Sequence, residues 1–155
     1  MANEPLAGKR YVKITKTKTK QDWSEYLLEI SELYKEAKKI TLVMDNLATH
    51  KPGSLYDTFK PEKAKALWDR FEFIYTPIHG SWLNLSADRQ DMAEIELNVL
   101  MGQCLNRRID SIEKVEKEVK AWQSHRNNRK SKINWQFTSK DARIKLKRLY
   151  PTLDD

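Results

Sequence analysis

The chain has 155 residues, 39% of them apolar and 33% charged, with a net charge of +7. That length fits one domain, and Trp23, Trp68, Trp82, Trp122 and Trp135 supply bulk for a core. No apolar run approaches the ~18 residues of a membrane helix, Met1-Ala2-Asn3-Glu4 is not a signal peptide, and the lone Cys104 excludes an internal disulfide and a Cys/His zinc cluster. The expectation is a cytoplasmic protein with no membrane partner. Its basic excess points to a polyanion such as nucleic acid, although a lysine-rich solvated surface gives the same balance.

Residues 4–8 (Glu-Pro-Leu-Ala-Gly) read as a turn. Tyr11, Val12, Ile14 and Thr15 favour a strand over 10–15. A turn before a strand needs a strand before the turn, and only residues 1–3 are available for it. A polar loop follows at 16–20. Thr19 then caps a helix, with Asp22 three places on as a weaker capping box. Trp23, Tyr26, Leu27, Ile30, Leu33, Tyr34 and Ala37 recur at steps of three and four, the pattern of an amphipathic helix. The run Ile40-Thr41-Leu42-Val43-Met44 predicts a central strand buried on both faces. Short helices are predicted over 54–59 and 61–70, with Pro61 at a first helical position. Residues 71–75 alternate as a further strand, which Pro77 stops.

A loop at 79–82 leads to a helix over 92–107, with Leu97, Leu100, Met101, Cys104 and Leu105 on its apolar face; a thiol there is expected to be buried. Asp110 and Glu113 suggest a capping box for the next helix, whose inner face is Ile112, Val115, Val119 and Trp122. Residues 125–132 form a polar basic stretch containing Arg126, Arg129, Lys130 and Lys132. A last basic helix is expected over 140–149.

Asp45 directly follows the buried run. In an open α/β sheet the carboxyl end of a strand is where ligands bind, but Asp is equally at home there as a cap or turn residue. Glu94 and Glu96 lie early in the helix after the tryptophan loop. Two residues apart on a helix, they face different sides, so only one can join Asp45. The helix macrodipole alone also favours acids in a first turn.

These residues carry a family resemblance. The pieces are Leu42-Val43-Met44-Asp45-Asn46-Leu47-Ala48-Thr49-His50, Tyr75-Thr76-Pro77-Ile78-His79-Gly80-Ser81-Trp82-Leu83-Asn84, Met92-Ala93-Glu94-Ile95-Glu96 and Gln103-Cys104-Leu105-Asn106-Arg107-Arg108-Ile109. It continues through Trp135-Gln136-Phe137-Thr138 and the stretch from Asp141 to Pro151. In this order they resemble the Asp-Asp-Glu (DDE) transposases of bacterial insertion sequences related to the mariner group. The resemblance implies an α/β fold: a partial ribonuclease H-like fold whose mixed sheet lacks its first strands and is flanked by helices. It also implies Mg²⁺- or Mn²⁺-dependent DNA strand cleavage and joining, in a nucleoid-associated bacterial setting. Asp45 would be the second catalytic Asp and Glu94 the terminal carboxylate, both of them metal ligands. Glu94 is preferred to Glu96 because the family places this acid three residues after the Leu-Asn pair. Lys51, His79 and Trp82 would flank the site and contact DNA, and Arg126, Arg129, Lys130 and Lys132 would add phosphate contacts. Loop packing and solvated charge are the plain alternatives for Lys51, His79 and Trp82. The chemistry needs carboxylates because Mg²⁺ is a hard ion that takes oxygen ligands and keeps several waters, and two such ions ~4 Å apart serve the attacking and leaving oxygens.

The sequence departs from the family pattern twice. The family's opening Asp lies upstream of anything present here, and Asp22 is no substitute. The expectation is therefore a truncated catalytic domain, inactive alone, whose partners are DNA and either the upstream transposase segment or a second copy of itself. The alternative is a non-catalytic DNA-binding or interaction protein. In addition, Leu85-Ser86-Ala87-Asp88-Arg89-Gln90-Asp91 reads as an insertion. If it is helical, Glu94 keeps its face but shifts by about 10 Å along the axis; if it bulges as a loop, Glu94 keeps its place.

Overall fold

A short hairpin opens the chain. In the computed structural model, which describes residues 1–75 and 88–132 (88–93 as backbone only), β1 (Ala2–Glu4) pairs antiparallel with β2 (Lys9–Tyr11). The expected turn joins them, with Gly8 at φ +64°, where a side chain would be strained. β2 ends four residues earlier than the pattern of 10–15 predicts. The reason is tertiary: the Val12 amide donates to Gln123 Oε1 at 2.6 Å instead of continuing a ladder.

Helix α1 (Lys20–Leu33) starts as its sequence predicts. Thr19 Oγ1 accepts from the Asp22 amide, and Asp22 Oδ2 accepts from the Thr19 amide at 2.8 Å, which closes the capping box. Leu27 and Ile30 are buried, but Leu33 is exposed. At 100° per residue Leu33 lies about 120° round from Leu27, off the inward stripe.

The next four elements form one parallel β-α-α-β unit. β3 (Ile40–Met44) leads to α2 (Pro52–Thr58) and α3 (Pro61–Arg70), each with proline in its first turn, and then to β4 (Phe71–Tyr75). β3 and β4 run parallel, from Ile40 beside Phe71 to Met44 beside Tyr75. Leu27, Ile30, Leu55, Ala64, Leu67 and Phe71 make the core. Trp68 and Phe73 stack on its margin with ring centroids 4.1 Å apart. Burying side chains of this size supplies on the order of 1.5–3 kcal/mol each.

One expectation changes here. β3 is not buried on both faces: Thr41 is exposed and its hydroxyl donates to Glu72 on β4 at 2.9 Å. The strand called for before the first turn is present as β1, paired with β2. Among the described residues the sheets are these two pairs.

Helix α4 (Asp88–Leu100) passes into a π-helical turn at Met101–Leu105. One continuous helix over 92–107 was expected; the chain is helical from Asp88 but changes pitch at Met101. Residues 88–91 of the apparent insertion are thus helical, and 85–87 lie outside the described residues. The apolar face expected of this helix is only partly inward. Leu100 is buried and Cys104 half-buried, its thiol pushed up by that burial, whereas Leu97 and Met101 are exposed. Glu96 takes the inward position.

Helix α5 (Ile112–Asn128) is capped by Ser111, whose hydroxyl accepts from the Lys114 amide at 3.3 Å. Asp110, the expected cap, instead accepts from Lys114 Nζ at 2.7 Å. Val119 is the buried residue of its inner face, with Ile112, Val115 and Trp122 half-buried. The predicted helix over 140–149 lies outside the described residues.

Candidate metal and DNA site

Asp45 stands one residue beyond the carboxyl end of β3. Its position follows from the sequence: β3 holds its register against β4 as far as Met44, and the chain then leaves the sheet. The Asp45 side chain is 43% exposed and that of His50 only 18%. His50 Nδ1 lies 2.5 Å from Asp45 Oδ1 and 3.3 Å from the Asp45 carbonyl oxygen. Oδ1 is buried and has no well-angled hydrogen bond, so the imidazole contact is what answers its charge.

His50 is itself held on three sides. Its ring stacks on Trp23 of α1 at 5.4 Å and 27°. Its amide donates to the Leu47 carbonyl at 2.9 Å, and its carbonyl accepts from the Tyr75 hydroxyl at 2.8 Å. The sequence places His50 in the motif after Asp45 but gives no sign that it touches that residue.

The two candidate glutamates part company on α4. Glu94 is exposed. Glu96 is 1% exposed and faces Arg10, which is 0% exposed. Arg10 Nε donates to Glu96 Oε2 at 2.5 Å and Nη2 to Oε1 at 2.7 Å. Arg126 Nη2 adds a third bond to Oε1 at 3.0 Å. Burial opposes ionisation of Glu96, but the two guanidinium groups outweigh it and hold the carboxyl below the usual range. Glu96 is thus committed to arginines, while Glu94 lies free of that cluster on a helix that packs against β3.

Arg126, one of the expected DNA contacts, is half-buried, bonded to Glu96 and set over the Trp122 ring at 5.5 Å. Arg129, Lys130 and Lys132 are exposed just beyond α5. Lys130 has φ +47°. Lys51 is exposed at the N-cap position of α2 and makes no side-chain cap bond. His79 and Trp82 lie outside the described residues. An open groove of about 550 Å³ runs between the π-helical turn and α5. No candidate residue lines it, and its polar groups answer one another: Arg107 with Glu118 at 2.5 Å, Trp122 Nε1 with Gln103 at 3.0 Å.

Comparison with known families settles what this arrangement belongs to. Residues 1–116 match the family model described as DDE superfamily endonuclease. The chain belongs to this family. Membership suggests a transposase-like nuclease with DNA as substrate, and DDE superfamily endonucleases typically use divalent metals. No curated protein and no solved structure matches the chain.

A divalent ion can be tested against the donors of this DDE endonuclease chain. With Oδ1 buried and the side chain 43% exposed, Oδ2 is the Asp45 carboxylate oxygen not taken up by the His50 contact, a hard oxygen donor. Glu94 offers a second exposed carboxylate. Among the described residues no three His, Cys, Asp or Glu gather around a metal position. Mg²⁺ is commonly held by one or two carboxylates and keeps its remaining waters, so Asp45 fits as a ligand, and these residues alone do not form a closed cage.

Proposed function

We propose that this chain is the catalytic-domain segment of a DNA transposase, of the mariner-related insertion-sequence type, with a ribonuclease H-like sheet. Asp45 and Glu94 would hold Mg²⁺ or Mn²⁺, which supplies an activated oxygen and charge neutralisation at a phosphodiester. The observation that carries this reading is the half-exposed Asp45 at the carboxyl end of a parallel strand, in a chain of the DDE endonuclease family. The commitment of Glu96 to Arg10 and Arg126 leaves Glu94 as the one of the two candidate glutamates outside that cluster.

The chain's own residues have three tasks in this reading. Asp45 and Glu94 bind the ion; Lys51, His79 and Trp82 contact DNA near it; Arg129, Lys130 and Lys132 meet the phosphate backbone, while Arg126 is engaged by Glu96 and Trp122. Cleavage in this reading depends on further ligands, because a two-metal site takes more carboxylates than Asp45 and Glu94. An upstream transposase segment or a second copy completes it, in the bacterial cytoplasm at the nucleoid.

The test is a strand-cleavage assay on labelled duplex in Mg²⁺ and Mn²⁺, with and without the upstream segment. Cleavage is expected only with both polypeptides and is lost in Asp45→Asn. Cleavage that ignores Asp45→Asn sinks the role of Asp45, and cleavage by the chain alone sinks its dependence on a second polypeptide. A second reading, a DNA-binding protein without catalysis, draws on the exposed basic end of α5. It predicts DNA binding that survives Asp45→Ala and no cleavage in any mixture.

A further inference from the structure

We propose that His50 is a positioning residue that fixes the rotamer of Asp45 and so decides which carboxylate oxygen is offered to a cation. The proposal rests on the reading of Asp45 as a metal ligand. A free aspartate at a strand end rotates about χ1 and χ2, and either oxygen can face outward. Here Oδ1 is buried against His50 Nδ1 at 2.5 Å, and the 43% exposure of the side chain falls on its remaining atoms. Oδ2 is the ligand atom left.

The imidazole can hold the carboxylate because it is itself packed and only 18% exposed. Trp23 lies flat against one face of the ring, 5.4 Å between centroids and 27° between planes. Trp23 is anchored in turn by α1 and by its contact with Phe73 of β4 at 6.4 Å. Tyr75, the last residue of β4, donates to the His50 carbonyl. The backbone of the segment is pinned once more where Ser54 Oγ donates to the Thr49 carbonyl at 2.7 Å. The hold on Asp45 thus passes from α1 and β4 through one imidazole. Partners that orient a ligating carboxylate commonly change metal affinity by about 10- to 100-fold when removed.

The experiment uses the full chain and Mn²⁺ alone, with affinity read by water-proton relaxation. Asp45→Asn is expected to abolish Mn²⁺ binding at this site. His50→Ala is expected to weaken it about ten-fold or more, and His50→Asn, whose amide can stand where Nδ1 stands, to restore most of it. Trp23→Leu is expected to weaken it and Trp23→Phe to spare it. Thermal melts of each variant separate unfolding from lost positioning.

A second readout needs no metal. Long-range ¹H–¹⁵N spectra resolve the three histidines, His50, His79 and His125. His50 is expected to carry its proton on Nδ1, and its signal alone is expected to move in Asp45→Asn. Mn²⁺ binding untouched by Asp45→Asn overturns the ligand reading. Loss of binding in Asp45→Asn with wild-type affinity in a folded His50→Ala overturns the positioning role alone. So does a His50 ring protonated only on Nε2, or one blind to Asp45→Asn.

Discussion

Arg10 and Glu96 meet through two hydrogen bonds, 2.5 and 2.7 Å, in a place where neither side chain reaches water. Arg10 also donates to the carbonyls of Gly8 and Ser131. One guanidinium thereby joins the hairpin, α4 and the end of α5. Removing one partner of a buried pair leaves a charge with no solvent to replace it. Arg10→Met and Glu96→Leu are each expected to lower unfolding stability by about 3–5 kcal/mol. The double variant is expected to lose less than the sum, because it removes both charges of the pair and leaves only Arg126, which is partly exposed, without Glu96. Urea titration followed by tryptophan fluorescence measures all three. Single variants within about 0.5 kcal/mol of the parent would show that the pair contributes as little as a surface one.

The same pair sets a pH dependence. Glu96 has its folded-state pKa lowered by Arg10 and Arg126 against the opposing effect of burial. A depressed acid stabilises the fold above its unfolded value, about 4.3 for glutamate, and this contribution is lost as pH falls through the folded value. Asp22, bonded to Thr19 and Thr17, and Asp110, bonded to Lys114, are lowered as well and act in the same direction. The comparison with Glu96→Gln isolates the buried acid. Urea midpoints below pH 5 are expected to drop more steeply for the parent than for this variant, and parallel curves would remove Glu96 from the account.

Gly8 is the point where the hairpin turn meets the end of α5. A Cβ there would lie 2.8 Å from the backbone carbon and oxygen of Lys130, at a φ that side chains resist. Neither obstacle is the movable tip of a side chain. Gly8→Ala is expected to cost about 1–3 kcal/mol and to loosen the Arg10 cluster two residues away. Amide exchange should rise at Arg10 and at Asn127, whose side chain both accepts from the Arg10 amide and donates to its carbonyl at 2.9 Å. A stable Gly8→Ala with unchanged exchange would mean that the backbone there yields easily.

DNA binding should divide the basic cluster in two. Arg129, Lys130 and Lys132 are exposed, while Arg126 is spent on Glu96 and Trp122. Each phosphate contact releases counterions, so affinity should be weak, insensitive to sequence and steeply salt-dependent. Changing Arg129, Lys130 and Lys132 together to alanine is expected to flatten the salt slope by up to about 3 without moving the melting temperature. Arg126→Ala is expected to lower the melting temperature. Affinity unchanged by the triple substitution would place the DNA surface elsewhere.

Local rules carry far in this sequence, and tertiary partners carry the rest. Phe71 to Tyr75, the Thr19–Asp22 box and Pro61 announce their elements because strand alternation, capping and fixed φ are local properties. β1 is barely visible: Ala2-Asn3-Glu4 has no strand propensity and exists by pairing with β2. The inward turn of Glu96 runs against hydrophobic patterning, since nothing near it in sequence shows that Arg10 waits there. At the site, the position of Asp45 after an apolar run is readable, but the His50 contact depends on Trp23, which lies 27 residues before His50.

The Arg10 cluster also bears on the order in which the chain can fold during synthesis. Apart from the Gly8 carbonyl, the partners of the Arg10 side chain are Glu96, 86 residues on, and Ser131, 121 residues on. Contacts of such separation come late, because the loop they close must be paid for in entropy first. At a synthesis rate of about 5–20 residues per second, the hairpin emerges from the ribosome many seconds before its burial partners exist. The β3–α2–α3–β4 unit, whose strands pair across only 31 positions, can condense in that interval, with an unburied arginine keeping the N-terminal hairpin hydrated until α4 and α5 arrive.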